Sequence, residues 1–165
     1  MHKIHYVPEC FAETAMVKTL FDQLDYLDHE FGIENVSRVL KKEDFKDYLN
    51  IGFIDNDKRQ PPYFDEFEVL DSRGTVILKK HKTKKDYLII VSPTIERFLL
   101  SQLREIEKLP SDYGFPDEFK AFCKKMKKTN IQNNEEFKRM ILELKKSNAS
   151  GISFIIEKIN QVKFS

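Results

Sequence analysis

Five acidic residues, Glu9, Glu13, Asp55, Asp57 and Glu96, stand where apolar strand-like runs give way to helical or turn sequence. Asp55 and Asp57 are one residue apart, and residues i and i+2 of an extended segment project to the same side. Glu9 and Glu13 are four apart around the start of a helical pattern, so they share a face. Carboxylates gathered in this way suit a hard cation. Mg²⁺ or Mn²⁺ takes oxygen ligands, and one or two carboxylates with water and a substrate phosphate complete its shell. Two such ions about 4 Å apart would clamp an in-line phosphoryl displacement. Each acid also has a plain structural use. The helix dipole favours Glu9, Glu13 and Glu96 in a first turn, and Asp and Asn form turns after strands. Glu13 aligns with Met16, Val17 and Leu20 on the face expected to be buried. An acid there needs a partner, a hydrogen bond or a metal, or else a first turn that overhangs the sheet into water.

Positioning these acids requires strands followed closely by helices. Residues 3–7, "KIHYV", are short, β-branched and aromatic, with Pro8 as a stop, and predict a strand. From residue 9 to 31 the pattern turns helical, with Met16, Leu20, Leu24, Leu27 and Phe31 at steps of three and four and Gly32 as a C-cap. "NVSRVL" reads as a second strand and "KEDFKDYL" as a second helix. The run 51–54, "IGFI", is a strand, and helical sequence between it and the first strand favours parallel pairing. Around Ser72-Arg73-Gly74 two alternating runs predict a hairpin. "DYLIIV", residues 86–91, has the continuous apolar character of a strand buried on both faces. Residues 94–108 form a helix. "PSDYGFP" reads as a linker, and beyond it only helices are expected, over 116–127, 133–146 and 150–161, with Asn134 and Ser150 as N-caps. The expected architecture is α/β, a mainly parallel central sheet flanked by helices in residues 1–109, with a C-terminal helical extension in 110–165 packed on the same domain.

The whole chain narrows the function classes. Its 165 residues suit one domain, and 14 phenylalanines within 41% apolar residues supply a sizeable core. The net charge is +1, so a nucleic-acid or membrane surface would have to be a local patch. Cys10 and Cys123 form no CxxC or Cys/His cluster, which argues against structural zinc and for a reducing compartment. The four histidines show no ligand spacing. P-loop, GxGxxG and Gly-x-Ser-x-Gly motifs are absent. No run approaches the roughly 18 apolar residues of a membrane span, so a cytoplasmic location is expected.

Two basic features bear on substrate. Lys58 and Arg59 directly follow the aspartates and can meet a phosphate or balance local acidity. "LKKHKTKK", residues 78–85, sets Lys79, Lys80, Lys82, Lys84 and Lys85 close together. It reads as a phosphate-gripping ribbon beside the acids or as a solvated hairpin end whose lysines blunt an edge strand. "KKMKK", residues 124–128, reads as the exposed end of a helix.

A Glu after the first strand and a DxD after a later one resemble the Toprim domain, shared by topoisomerases, primases and the nucleases of the OLD family. The resemblance covers roughly residues 3–100. It implies that Glu9 is an acid/base or metal-associated group and that Asp55 and Asp57 bind Mg²⁺. Glu13 is similar to an acid four residues past the first Glu in OLD-type nucleases. Glu96 in "SPTIERFLL" is similar to an acid near the start of a later helix. Cys10 stands where the family usually has Gly, and Lys58-Arg59 stand where a Gly often follows the DxD. The late lysine of OLD-type enzymes would fall to Lys145, Lys146 or Lys158. The implied function is a Mg²⁺- or Mn²⁺-dependent phosphoryl-transfer enzyme acting on nucleic acid, a Toprim-type nuclease. The alternative is a catalytically inactive interaction module, as a homodimer or as one subunit of a larger assembly with a partner protein.

Overall fold

A computed structural model describes residues 1–56 and 59–165. Strand β1 (Ile4–Pro8) leads into helix α1 (Phe11–Leu20), then a short strand β2 (Tyr26–Leu27), helix α2 (Ile33–Lys41) and strand β3 (Leu49–Asp55). A hairpin of β4 (Phe67–Arg73) and β5 (Val76–His81) precedes strand β6 (Asp86–Val91) and helix α3 (Ile95–Glu105). Helices α4 (Phe119–Met126), α5 (Glu135–Lys146) and α6 (Ser150–Phe164) follow. The six strands form one mixed sheet in the order β2–β1–β3–β6–β5–β4. The first four of that order are parallel, and the hairpin adds two antiparallel strands. The α/β architecture with a mainly parallel sheet is therefore as the sequence implies.

Alternation along the central strands divides the core into two layers. Ile4 and Tyr6 of β1, Ile51 and Phe53 of β3, and Ile89 and Val91 of β6 pack with α1, α3 and all three C-terminal helices. Val7, Ile54, Leu88 and Ile90 point to the other face, under Ile33, Val36, Val39 and Leu40 of α2. On that face Gly52 lets α2 approach closely, since a Cβ there would lie 2.9 Å from Leu88 Cδ2 and 3.1 Å from Val36 Cγ1.

Buried polar residues line up at the strands' leading ends. His5, Asn50 and Asp86 are direct neighbours across β1, β3 and β6. His5 Nδ1 meets Asn50 Oδ1 at 2.9 Å, and its Nε2 meets Asp28 Oδ2 at 3.0 Å. The Asn50 amide donates to Asp86 Oδ1 (2.9 Å), and the Tyr63 hydroxyl donates to Asp86 Oδ2 (2.6 Å). Phe45 stacks on the His5 ring at 3.8 Å.

Several local expectations are corrected. Helix α1 stops at Leu20, not at Gly32, because long-range hydrogen bonds outweigh the apolar periodicity. Asp25 accepts the Ile4 N–H (2.8 Å), and the Asp28 N–H donates to Tyr6 O (2.9 Å), which draws residues 26–27 into the sheet edge. "NVSRVL" is the body of α2 rather than a strand, because Ile33, Val36 and Leu40 present one helical face to the sheet. "KEDFKDYL" supplies only a 3-10 turn, Glu43–Phe45. Asn134 caps α5 by accepting the Phe137 N–H. Ser150 is instead the first residue of α6, its N–H and hydroxyl both donating to Glu105. "PSDYGFP" is a 3-10 turn with Tyr113 and Phe115 buried in the same core as the sheet.

Helix α6 is seated on α3 through Gly151, where an added Cβ would fall 2.5 Å from Phe98 Cε2 and 3.1 Å from Gln102. Phe98 is fully buried and cannot retreat. Gly151→Ala should therefore lower the unfolding free energy by about 1–3 kcal/mol, the usual cost of overpacking. Urea denaturation checks this, and an unchanged midpoint would contradict the packing described.

Candidate metal centre

Strand order reverses between β1 and β3. The chain leaves β1 through α1 to β2 on one side, then crosses through α2 to β3 on the other. In open α/β sheets this switch point opens a crevice beyond the strands' carboxyl ends. Glu9 follows β1 and Asp55 ends β3, so the two acids flank that crevice. Glu13, in the first turn of α1, closes the group. Glu9, Glu13 and Asp55 each offer an oxygen within 4.8 Å of the others.

Main-chain amides hold each of the three in place. The Asp55 N–H donates to Glu9 Oε1 (2.6 Å), the Glu9 N–H donates to Glu13 Oε2 (3.0 Å), and the Ile95 N–H donates to Asp55 Oδ1 (2.8 Å). Glu9 is 5% exposed and Glu13 1%, so these are interior carboxyls and not a solvated acidic rim. Helices α1 and α3 both begin here, and their positive ends partly offset the negative charge.

Three carboxyls this close in a buried setting cannot all ionise cheaply. Burial, then the Asp55 and Glu9 charges, push the Glu13 carboxyl well above the ordinary glutamate range. The cluster thus retains a proton where a cation would otherwise neutralise it. All three donors are carboxylate oxygens, a set that suits a hard divalent ion. The neighbouring Cys10 thiol is pushed up by burial first, and then by Glu13, Asp55 and Glu9. The thiol is therefore biased to the protonated form, which makes it a poor nucleophile.

Glu9 and Asp55 open onto a cavity of about 310 Å³, with Glu13 buried behind them. Glu96, 7% exposed, lies on its wall, outside the group of three. Asp57 and Lys58 fall outside the described residues. Arg59 is exposed. The lysine ribbon follows the second of its two readings. Lys79 and Lys80 pair with Leu88 and Tyr87, and Lys84 and Lys85 precede Asp86, all at the leading end of β6. The acids lie at its trailing end beside Val91, three residues past Leu88 and five past Asp86, or roughly 10–16 Å at the usual rise per residue. Lys82 bridges to Glu68 (4.0 Å) and Lys84 covers the Tyr63 ring. The ribbon is thus a hairpin end and does not stand beside the acids. Lys158 pairs with Asp71 (2.6 Å), and Lys145 donates to Leu20 O. Among the described residues the basic one on the cavity wall is Lys127, at the end of α4, and Phe11 and Phe31 line the same wall. Nothing in the spacing of "KKMKK" singles out Lys127; the docking of α4 does.

Comparison with known protein families, curated proteins and solved structures returns no match.

The raised Glu13 carboxyl sets a pH dependence. Its folded-state value exceeds its unfolded one, so the folded state binds more protons above the ordinary glutamate range, and stability falls as pH rises there. Glu13→Gln removes that penalty. The variant should melt higher than wild type near pH 8 and at the same temperature near about pH 3, below the ordinary glutamate value of about 4.3. Adding Mn²⁺ near pH 8 should raise the wild-type midpoint and leave that of Glu13→Gln nearly unmoved. Thermal melts with and without metal check both, and a wild type that melts at the same temperature from weakly acidic to alkaline pH would contradict the reading of Glu13.

Proposed function

We propose that this chain is a Mg²⁺- or Mn²⁺-dependent phosphoryl-transfer enzyme acting on nucleic acid, a nuclease of Toprim type. The observation that carries the reading is the convergence of Glu9, Glu13 and Asp55 at the switch point, each carboxylate anchored by a main-chain N–H. Glu9, Glu13 and Asp55 would hold the ion, with Glu96 on the cavity wall as a further acid. A bound divalent ion supplies Lewis-acid polarisation of a phosphoryl oxygen and lowers the pKa of a coordinated water. The protein's own contribution is preorganisation, because amide-held carboxylates need little rearrangement to accept a ligand. Release of the Glu13 proton on metal binding makes affinity rise with pH. Lys127 faces the same cavity and supplies a cation for a substrate phosphate.

The test is cleavage of plasmid and oligonucleotide with Mg²⁺ and with Mn²⁺. Asp55→Asn and Glu9→Gln should each reduce the rate by more than about 100-fold, since losing even an outer partner of a metal ligand costs 10–100-fold. EDTA should abolish cleavage. Equal rates in wild type and both variants would overturn the proposal.

A further inference from the structure

The acid cavity has an aromatic side that the metal chemistry does not use. Of the large apolar side chains left exposed among the described residues, Phe31 alone lines this cavity, and it is 65% exposed. Its main chain is nevertheless tied down beside Glu9. The Glu30 N–H donates to Pro8 O (3.0 Å), the Gly32 N–H to Glu9 O (3.2 Å), and the Asn35 amide to Phe31 O (2.7 Å). Gly32 turns there with φ 82°, a conformation that suits glycine.

The ring is also braced from behind. Phe11 meets it edge-on at 5.2 Å and His29 at 4.8 Å, and those two stack on each other at 4.6 Å. Burial lowers the pKa of His29, so the brace is biased to the neutral form and adds little charge to an apolar face. Thr14 completes the support, its hydroxyl donating to Cys10 O (2.9 Å) and lying 2.7 Å from His29 Nδ1.

An exposed phenylalanine held rigidly at the mouth of a carboxylate pocket lacks only a flat partner. We infer that Phe31 is a stacking platform for an unpaired nucleobase, and that the substrate is a single-stranded or frayed nucleic-acid end whose phosphate sits at the acids. The inference rests on the proposed metal centre for the phosphate. The base follows from the ring itself, because stacking needs a π-face and no particular hydrogen-bond pattern. A paired base inside a duplex is already stacked on both sides and has no face to offer, which selects an unpaired nucleotide. A sugar phosphate without a base would reach the acids and leave Phe31 uncovered. Phe31 is therefore a specificity-determining residue of the cavity.

The chain has no tryptophan, so Phe31→Trp places a single reporter on the platform. The probes are a 5′-phosphorylated oligothymidylate, the same strand annealed in a nicked duplex that leaves its 5′ base paired and stacked on both sides, and ribose 5-phosphate, each with Ca²⁺ to bind without turnover. The single strand should quench the tryptophan, and ribose 5-phosphate should not. By anisotropy, Phe31→Ala and Phe31→Leu should each weaken single-strand binding roughly 5- to 150-fold, the equivalent of ~1–3 kcal/mol per stacked base. Duplex affinity should change little. Calorimetric Mn²⁺ affinity should be equal in wild type and both variants, which separates the platform from the metal centre. Unchanged single-strand affinity in Phe31→Ala, or full retention in Phe31→Leu, would overturn the platform while leaving the metal centre standing. Failure of wild type to bind Mn²⁺ would overturn the metal centre, and the quenching and anisotropy arms would still decide the platform.

Discussion

Three carboxyl groups confined within a few ångströms repel one another, and the carboxyl end of this sheet is arranged around that repulsion. Each group is held by a main-chain N–H from a different turn of chain: Asp55 to Glu9, Glu9 to Glu13, Ile95 to Asp55. The three bonds link the end of β1, the end of β3 and the start of α3 into one interlock. The charge that remains is met by two helix N-termini and by the proton kept on Glu13. A cation bound there would relieve a cost that the fold already carries, which is why the same geometry reads as a binding site and as a point of stored unfavourable energy.

The topology explains why the acids meet. Parallel strands deliver their ends to one side of the sheet, and the reversal of strand order leaves a gap between β1 and β3. Helices α1, α2 and α3 all begin at that side, so amide donors and short turns collect where the acids are. Phe31 belongs to the same logic. It sits on the turn entering α2, and that turn is stitched to the last residues of the β1 segment. The aromatic and acidic sides of the cavity are therefore one rigid unit, even though residues 9 and 31 lie far apart in sequence.

Much of this was legible before any coordinates. The continuous apolar run of β6, the short β1 stopped by Pro8 and the i, i+4 spacing of Glu9 and Glu13 were enough for an α/β sheet with acids at strand ends. Where the reading failed, a long-range interaction outweighed a local one. Leu24, Leu27 and Phe31 continue the periodicity of α1, yet Asp25 and Asp28 bond to β1 and break the helix. The lysines of residues 79–85 look like a phosphate grip, but their place along β5 and β6 depends on strand direction, which composition does not encode. Lys127 and Phe31 reach the cavity only through the docking of α4 and the turn before α2.

The buried polar row at the leading ends of the same strands has a consequence of its own. Strands β3 and β6 are apolar on both faces and almost wholly buried. Sliding one past the other by a residue or two would still set hydrocarbon against hydrocarbon, so burial alone defines their alignment poorly. His5, Asn50 and Asp86 occupy one end of the strands, and Glu9 and Asp55 the other. A slip would strand unsatisfied polar groups at both ends at once. The central strands work like a key cut at its two tips: the smooth shaft fits in many positions, and the cuts admit one.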